Sequence, residues 1–402
     1  MIKPSSLGKL PSEWTNKKFG EITKVRQGLQ IPISERLLVP TATSKEYITI
    51  QSINRHNQER EYVESPSSRV TCTTDDVLMT RTGNTGIVVT GVEGVFHNNF
   101  FLIDFDKSKI NTVFLVNYLT SPRVQHVIQV NAGASTIPDL NHKDFYSIEF
   151  PLAPILEQNE IAQILSTWDK AITTTEQLLA NSQQQKKALM QQLLTGKKRL
   201  LDDNGVRFSG EWEDIRLKDV LREEKSRNKD NAIERVLSVT NHSGFVLPEE
   251  QFSKRVASVN VSNYKVVRKG QYGYNPSRLN VGSFARLDSY DEGLLSPMYV
   301  VFSLNKQLLN SDYFLNWMSS NEAKQRIAGS TQGSVRDSVG FDALCGFPFK
   351  LPPMEEQQKI AAVLSSADQE IDSLQQKIEA LKQEKKALMQ QLLTGKRRVK
   401  LN

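Results

Sequence analysis

The sequence contains one long segment twice, and this repeat restricts the possible folds more than any other feature. The twelve residues 186–197 (KKALMQQLLTGK) recur unchanged at 385–396. At the same offset of 199 residues, about half of a block of roughly fifty residues is identical between the two copies. The chain therefore consists of two related halves that end in the same segment.

Both copies have the apolar spacing of a coiled coil, in which the residues that face a partner helix alternate three and four apart. These seam positions are Ile161, Leu165, Trp168, Ile172, Leu179, Leu189 and Leu193 in the first copy and Ile360, Leu364, Ile371, Leu374, Ile378, Leu381, Leu388 and Leu392 in the second. The first copy is the less apolar, because Thr175 and Ser182 interrupt its seam. Lys186 and Lys385 occupy equivalent seam positions, where a lysine lowers stability and fixes the register.

Each copy predicts one helix of about 40 residues, on the order of 60 Å long. Prolines precede both patterns, and Gly196 and Gly395 follow them, as is typical of helix starts and ends. A helix with so narrow an apolar stripe is not stable alone in water. We therefore predict that the two helices bury their seams against each other; the alternative is that each packs on its own globular domain.

Composition limits the class of protein and its partners. The chain has 402 residues, a net charge of +6 and a globular balance of 24% charged and 38% hydrophobic residues. This charge suggests a polyanionic partner that is contacted locally. The two cysteines, Cys72 and Cys345, have no metal-site spacing and indicate no disulfide framework. Without a signal peptide or an apolar run long enough for a membrane span, we expect a cytoplasmic protein that does not contact membranes.

The segment that precedes each long helix predicts an α+β domain of about 140 residues. In the first half, short strands are expected at 47–50, 76–80, 87–89 and 100–103, and helices at 113–119 and 123–130. The second half repeats this order with diverged residues, with strands at 235–239 and 270–274 and a helix at 313–317. A turn-type linker at 201–205 separates the halves.

Loops with arginine, asparagine and hydroxyl side chains are the candidate DNA-binding sites, because these groups hydrogen-bond phosphates and base edges. The candidates in the first half are Arg55, His56, Arg81, Asn84, Thr85, Ser135 and Thr136. Those in the second half are Asn241, His242, Asn275, Arg278, Asn280, Ser334 and Arg336. Arg81, Arg278 and Asn280 are the leading base readers, although the loop 81–86 is also compatible with an ordinary hairpin turn.

Motifs that would indicate catalysis are incomplete. Residues 274–276 resemble the start of the Asn-Pro-Pro-aromatic motif of amino-methyltransferases, but Ser277 replaces the second proline and Arg278 the aromatic residue. No glycine-rich turn after a strand precedes them. Residues 194–197 mimic the end of a phosphate-binding loop without its first glycine. We expect no catalytic and no metal-binding residues in this chain.

Two variable domains that alternate with two near-identical helices resemble the DNA specificity subunit of type I restriction-modification systems. The most specific parts are the Glu-Gln-x-x-Ile-Ala-x-x-Leu helix start, at residues 157 and 356, and the repeated KKALMQQLLTGK helix end. The resemblance covers nearly the whole chain. It implies two target recognition domains, at 1–152 and 198–351, separated by two long helices at 153–197 and 352–402 that form an antiparallel coiled coil with pseudo-twofold symmetry.

The resemblance also implies the partners. Two methyltransferase subunits would carry S-adenosylmethionine, two motor-nuclease subunits would use ATP and Mg, and the chain itself would bind double-stranded DNA without a cofactor. Because the two domains differ in sequence, we expect a bipartite, asymmetric target. The alternatives are a catalytic methyltransferase or nuclease fusion and a coiled-coil scaffold that binds proteins.

Overall fold

The computed structural model describes residues 10–54, 59–133, 138–248, 260–331 and 338–400. The chain forms two compact units. Unit 1 comprises Met1–Glu176 and Gln376–Asn402, and unit 2 comprises Gln177–Gln375. Each unit therefore contains one globular domain together with part of both long helices. This division differs from the four consecutive segments expected from the sequence, because the boundary between the units passes through the helices.

Unit 1 contains ten strands and five short helices among its described residues, in addition to its parts of the long helices. The strands are β1 (Thr15–Lys18), β2 (Thr23–Gln27), β3 (Lys45–Ile48), β4 (Tyr62–Val63), β5 (Thr71–Cys72), β6 (Leu78–Thr80), β7 (Val88–Val89), β8 (Gly94–Phe96), β9 (Phe100–Phe105) and β10 (Glu149–Leu152). The helices are α1 (Phe19–Ile22), α2 (Ile50–Asn54), α3 (Thr112–Thr120), α4 (Pro122–Ala132) and α5 (His142–Ser147). The first long helix, α6 (Ile155–Leu193), begins in this unit.

Unit 2 repeats this order. Its strands are β11 (Glu213–Arg216), β12 (Leu221–Glu223), β13 (Ser238–Thr240), β14 (Gly244–Val246), β15 (Lys265–Arg268), β16 (Tyr272–Tyr274), β17 (Phe284–Arg286), β18 (Glu292–Leu295), β19 (Val300–Leu304) and β20 (Pro348–Leu351). Its helices are α7 (Ser311–Met318), α8 (Asn321–Thr331) and α9 (Phe341–Cys345), and the second long helix, α10 (Met354–Leu392), begins here. The predicted α+β class, strands and helices are confirmed, with shifts of a few residues at the boundaries.

The same sheet lies at the centre of each unit. Four antiparallel strands are ordered β2-β9-β6-β7 in unit 1 and β12-β19-β16-β17 in unit 2. The strand before each long helix pairs with the first strand of its unit, as β1 with β10 and β11 with β20. In unit 1, β3 and β8 pair in parallel and form a second four-stranded sheet with β4 and β5.

The long helices contribute to the hydrophobic core of each unit. In unit 1, Ile161 and Leu165 of α6 and Leu392 of α10 belong to the same buried cluster as Phe114 and Phe150 of the domain. In unit 2, Leu193, Ile360 and Leu364 belong to the cluster that contains Trp317 and Phe349. The ends of each seam thus pack on a globular domain. At these positions the alternative from the sequence, in which a helix packs on a domain, is the observed arrangement.

Ion pairs and a hydrogen bond show that α6 and α10 are antiparallel within each unit. In unit 1, Asp169 contacts Lys385 at 2.5 Å and Glu176 contacts Lys382 at 2.8 Å. In unit 2, Ser182 donates a hydrogen bond to Glu370 and Lys186 forms an ion pair with Asp368. In both units the residue numbers rise along α6 as they fall along α10.

The predicted seam positions are covered in the structure. All fifteen apolar positions named above are buried or half-buried, whereas most of the residues between them are exposed. Lys186 and Lys385 are also largely covered, and each reaches an aspartate of the opposite helix. Asp169 and Asp368 are themselves equivalent at the offset of 199, so the same charged pair forms once in each unit. A misaligned pairing would leave these lysines in the seam without a carboxylate.

A buried carboxylate at the start of each long helix accepts three hydrogen bonds from two side chains that are distant in sequence. In unit 1, Glu157 is 1% exposed and accepts hydrogen bonds from the Trp14 indole at 2.8 Å and from Arg398 Nε at 2.6 Å and Nη2 at 2.9 Å. In unit 2, Glu356 accepts from the Trp212 indole at 2.9 Å and from Arg199 at 2.5 and 2.6 Å. We call each set a carboxylate clamp.

Each clamp depends on the turn that ends the other helix. Gly196 and Gly395 both have a φ of +69°, which glycine adopts without strain, and they turn the chain after α6 and α10. The predicted glycine-containing helix ends are thus confirmed. Three residues beyond each glycine, Arg199 and Arg398 reach the glutamates. In unit 1 the clamp therefore joins Trp14, near the start of the described residues, and Arg398, near their end, on Glu157.

The residue after each clamp glutamate anchors the helix to its domain. Gln158 Nε2 donates to the carbonyl oxygens of Lys109 and Ala153, and its Oε1 accepts from the backbone N–H of Asn111, the residue that caps α3. Gln357 makes the equivalent three bonds in unit 2. None of the helices in the described residues combines the length and the apolar character that crossing a bilayer would require.

We predict that Arg398→Ala destabilises unit 1, because it leaves the buried Glu157 carboxylate with the Trp14 indole as its only remaining clamp partner. The expected loss is about 2–3 kcal/mol, below the full effect of breaking a buried ion pair because Arg398 is partly exposed. Urea unfolding combined with amide hydrogen exchange would show weaker protection in unit 1 and unchanged protection in unit 2. Arg397→Ala is the matched control, and equal effects of the two variants would contradict the prediction.

Candidate nucleic-acid interface

Three chain segments of unit 1 meet at one edge of its central sheet. The strand register places Gln27 opposite Phe101 and Thr80 opposite Phe100, so β2 and β6 end where β9 begins. Beyond this edge lie the loop 81–86, the turn 97–99 and the segment that follows β2. The loop 81–86 is the one that the sequence selects as a DNA-binding candidate.

Backbone and side-chain hydrogen bonds hold the loop 81–86 in place. The backbone N–H of Arg81 donates to Asn99 O at 2.7 Å, and Gly83 N–H donates to Pro138 O at 3.0 Å. Gln125 and Gln129 of α4 donate to the carbonyl oxygens of Gly86 and Thr85 at 2.8 and 2.7 Å. The loop is therefore a fixed feature of the domain, as a binding site on a rigid scaffold requires.

Arg81 forms an ion pair inside the protein. Its Nε and Nη2 donate to the two carboxylate oxygens of Asp139 at 3.2 and 2.9 Å, and Thr82 donates to the same carboxylate at 2.6 Å. Hydrogen bonding by Arg81 lowers the pKa of Asp139 from its usual value, with a further contribution from Thr82. A guanidinium has five N–H donors, and this ion pair uses two. Asp139 thus fixes the orientation of Arg81 while leaving donors for another group.

Two of the predicted DNA-contacting residues have structural roles. Thr85 is 4% exposed, and its hydroxyl donates to the carbonyl oxygens of Arg81 and Pro138, so it shapes the loop and cannot reach a ligand. Asn275 uses its Oδ1 to accept from Ser277 N–H, which caps a short 3-10 helix. The prediction of direct contact is corrected for Thr85, which is buried; for Asn275 only the Oδ1 atom is engaged by this cap, so its predicted contact stays a prediction. Asn84, by contrast, is exposed.

The equivalent edge of unit 2 presents two of the leading candidates. The 3-10 helix Pro276–Val281 follows β16 directly and ends at Gly282, whose φ is +89°. Leu279 is buried and anchors this helix to the core, while Arg278 and Asn280 are exposed. The described residues provide no hydrogen-bonding or ionic partner for the Arg278 side chain. Its guanidinium is therefore available for a phosphate or a base edge.

The turn with Asn241 and His242 lies beside this helix. It connects β13 and β14, and both residues are exposed. A Cβ atom placed on Gly282 would lie 3.6 Å from the Asn241 Cβ, so the turn lies next to the end of the 3-10 helix. The structure thus brings together four residues that the sequence separates, namely Asn241, His242, Arg278 and Asn280.

The remaining candidates lie outside the described residues: Arg55, His56, Ser135, Thr136, Ser334 and Arg336. The residues that follow two of these segments do contact the candidate loops. Leu140 N–H donates to Arg81 O at 2.8 Å, and Val339 N–H donates to Pro276 O at 3.0 Å.

Sequence reasoning missed other residues at the two edges. In unit 1, Gln30 and Asn98 lie beside the loop 81–86, and in unit 2, Met298 lies beside Asn275. Each edge collects residues from strand ends that are far apart in sequence. The signal that could have indicated them is weak: a polar or exposed turn immediately before a predicted strand, at 97–99 and 296–299.

Fold and site together define the class of protein. At its sheet edge unit 1 presents the exposed Asn84 beside the ion-paired, half-buried Arg81, and unit 2 presents the exposed Arg278 and Asn280. The two units share paired long helices but differ at these edges. This arrangement is that of a DNA-binding protein with two different recognition domains.

Comparison with known proteins assigns the family. The family model described as type I restriction modification DNA specificity domain matches residues 11–181 and 250–383, about three quarters of the chain. The chain belongs to this family, and its function is that of a DNA-recognising specificity subunit of a type I restriction-modification system.

Individual relatives agree in length and fold. The specificity subunit of the type I restriction enzyme MjaVIII from Methanocaldococcus jannaschii is 24% identical over 418 residues, which covers 98% of this chain and 95% of that protein. The crystal structure of a type I restriction-modification S subunit from M. genitalium matches with a TM-score of 0.55 at 14% identity, covering 96% of this chain and 98% of that one. A chain from a structural study of type I system assembly and conformational transition matches with a TM-score of 0.57 at 17% identity, with the same coverage.

We predict that Arg278→Ala relaxes base preference at one position of one half-site. The expected loss is about 1–3 kcal/mol of discrimination, the contribution of a bidentate arginine–guanine contact. Competition binding with duplexes that vary one base pair at a time would measure it. Uniform weakening on all sequences, accompanied by a smaller salt dependence, would assign Arg278 to a phosphate contact instead.

Proposed function

We propose that this chain reads a bipartite, asymmetric DNA target and docks two methyltransferase subunits. The observation that carries the proposal is the contrast between the two units: they repeat the same core, helix pairing and carboxylate clamp, but their sheet edges carry different side chains. Repeated scaffolds with different edges are suited to one common task and two separate recognition tasks.

The difference between the edges supports an asymmetric target. Unit 1 presents Asn84 and the ion-paired Arg81, whereas unit 2 presents Arg278, Asn280 and the turn with Asn241 and His242. Sequence is read by the pattern of donors, acceptors and apolar groups that meet the base edges. Two different patterns would select two different half-sites, separated by a gap that neither unit reads.

The helices support two identical partner contacts. The repeated segments 186–197 and 385–396 share residues that face outward as well as residues of the seam: Lys187, Gln191 and Gln192 are exposed, and so are Lys386, Gln390 and Gln391. Seam packing does not require identity at these exposed positions. Identical exposed surfaces, one in each unit, would suit two copies of the same partner.

In this proposal the chain selects the site and carries no catalytic group. The methyltransferase subunits would hold S-adenosylmethionine, and two motor-nuclease subunits, with ATP and Mg, would join for cleavage. Among the described residues the exposed basic and amide side chains of the edges would bind double-stranded DNA.

The direct test is selection of sequences from random DNA duplexes by the full chain, with and without the methyltransferase subunit of its own system. Two enriched half-sites at a fixed separation are expected. Absence of binding to duplex DNA even with the methyltransferase present would support a protein-binding scaffold. Methyl transfer by the purified chain alone would support a catalytic fusion, and either result would overturn the proposal.

The helices also generate a prediction on spacing. One heptad inserted between Glu176 and Gln177, and another between Gln375 and Gln376, would preserve the antiparallel register and lengthen both helices by about 10 Å, the rise of about three base pairs. We expect the gap in the selected target to lengthen and both half-sites to remain unchanged. Altered half-sites with an unaltered gap would contradict this role of the helices.

A further inference from the structure

We propose that the turn leading into the interior strand of each central sheet is a second base-reading element. In unit 1, Gln30 and Asn98 would recognise an adenine, and in unit 2, Met298 would contact the methyl group of a thymine. This inference rests on the proposed function and adds residues to it. It concerns the turn 97–99 before β9 and the turn 296–299 before β19.

The backbone places the turn of unit 1 on the same edge as the loop 81–86. Gly28 N–H donates to Phe100 O at 3.2 Å, and Leu29 N–H donates to Phe96 O at 3.1 Å, so the chain after β2 runs along the turn. A Cβ on Gly28 would lie 2.2 Å from Phe96 O, so glycine is needed for this close approach. On the other side, Asn99 O accepts from Arg81 N–H at 2.7 Å.

The side chains of Gln30 and Asn98 form an amide pair. Asn98 Nδ2 donates to Gln30 Oε1 at 3.3 Å, and Gln30 is exposed. Asn98 Oδ1 is buried and has no hydrogen-bond partner among the described residues. An unpaired buried acceptor is unfavourable and is relieved by an arriving donor.

The groups that this pair leaves unused match adenine. Two amides joined by one hydrogen bond keep one NH2 group and one carbonyl oxygen, whichever way each amide is turned. In the major groove adenine offers the N7 acceptor and the N6 amino donor, guanine offers two acceptors, and cytosine offers a donor. One donor beside one acceptor is the complement of adenine. In this pair the unused groups are the NH2 group of Gln30 and Oδ1 of Asn98, so recognition requires the exposed Gln30 side chain to shift on binding until the adenine N6 amino group reaches Asn98 Oδ1.

The equivalent turn of unit 2 has a different chemistry. Tyr299 N–H donates to Ser296 O at 3.0 Å, which closes the turn, and Met298 is 64% exposed at its tip. Met298 Sδ lies 4.0 Å from Asn275 Nδ2, at the start of the 3-10 helix that carries Arg278. The thymine methyl is the apolar feature of the major groove, and a flexible thioether side chain packs readily against such a group.

The test measures base preference with the full chain and its methyltransferase subunit. Gln30→Ala and Asn98→Ala are each expected to reduce the preference for adenine at the same single position, by about 5- to 150-fold, as for loss of a bidentate contact. The other half-site should be unchanged. Thr90→Ala, at the opposite end of the same sheet, is the matched control and should leave the selected sequence as it is.

Met298 is tested by removing the methyl group from DNA. Replacing thymidine by deoxyuridine at each position of the second half-site in turn should weaken wild-type binding at one position by about fourfold, the effect of one buried methyl group. Met298→Ala should bind both duplexes equally. Leu308→Ala removes another exposed apolar side chain, at the opposite end of the unit 2 sheet. This variant should bind the thymidine duplex more tightly than the deoxyuridine duplex, as the wild-type chain does.

The outcomes separate this inference from the proposed function. If the wild-type chain selects two half-sites and the three variants select the same sequence as wild type, the inference alone is overturned. If the variants weaken binding to all sequences equally, the turns contact phosphates and the inference is also overturned. If the wild-type chain selects no sequence, the proposed function and the inference both fail. Thermal unfolding of each variant checks that the exposed substitutions leave the fold intact.

Discussion

The structure depends on the burial of two narrow apolar stripes. Helices α6 and α10 have 39 residues each, and neither has an apolar face wide enough to be stable in water by itself. Along the middle of the helices the stripes cover each other, and at the ends they enter the core of a domain. Because the helices are antiparallel, the start of one meets the end of the other within each unit. Each unit is consequently assembled from chain segments that are far apart in sequence.

Polar groups make this assembly specific. A hydrophobic stripe tolerates slippage, whereas a buried carboxylate must find its partners or remain unpaired. Glu157 and Glu356 each require an arginine from beyond the end of the other helix, and Lys186 and Lys385 each require an aspartate across the seam. Within each unit, the two pairs agree on one register. The repeated sequence thus contains the residues that must pair between the two helices for each unit to form.

The edges of the central sheets do not take part in the pairing of the two long helices. Loops at strand ends contribute little to the core, so their side chains can differ between the units while the sheets remain the same. In unit 1, hydrogen bonds from α4 and from the segment at 138–140 hold the loop 81–86 in place. In unit 2, a capped 3-10 helix holds Arg278 and Asn280 at the edge. Rigid scaffolds with different exposed groups allow one fold to recognise two different sequences.

The sequence by itself determined the α+β class, the repeat, the two long helices, their seam and the family, since periodicity and internal identity are local properties of the chain. It also indicated the exposed Arg278 and Asn280. Tertiary structure decided which side chains are available, because this depends on partners distant in sequence. Asp139 pairs with Arg81 across 58 residues, internal hydrogen bonds and burial make Thr85 unavailable, and strand pairing brings Gln30 beside Asn98. Hydrogen bonds between distant residues leave no periodic trace in a single sequence, and for that reason the site was less predictable than the fold.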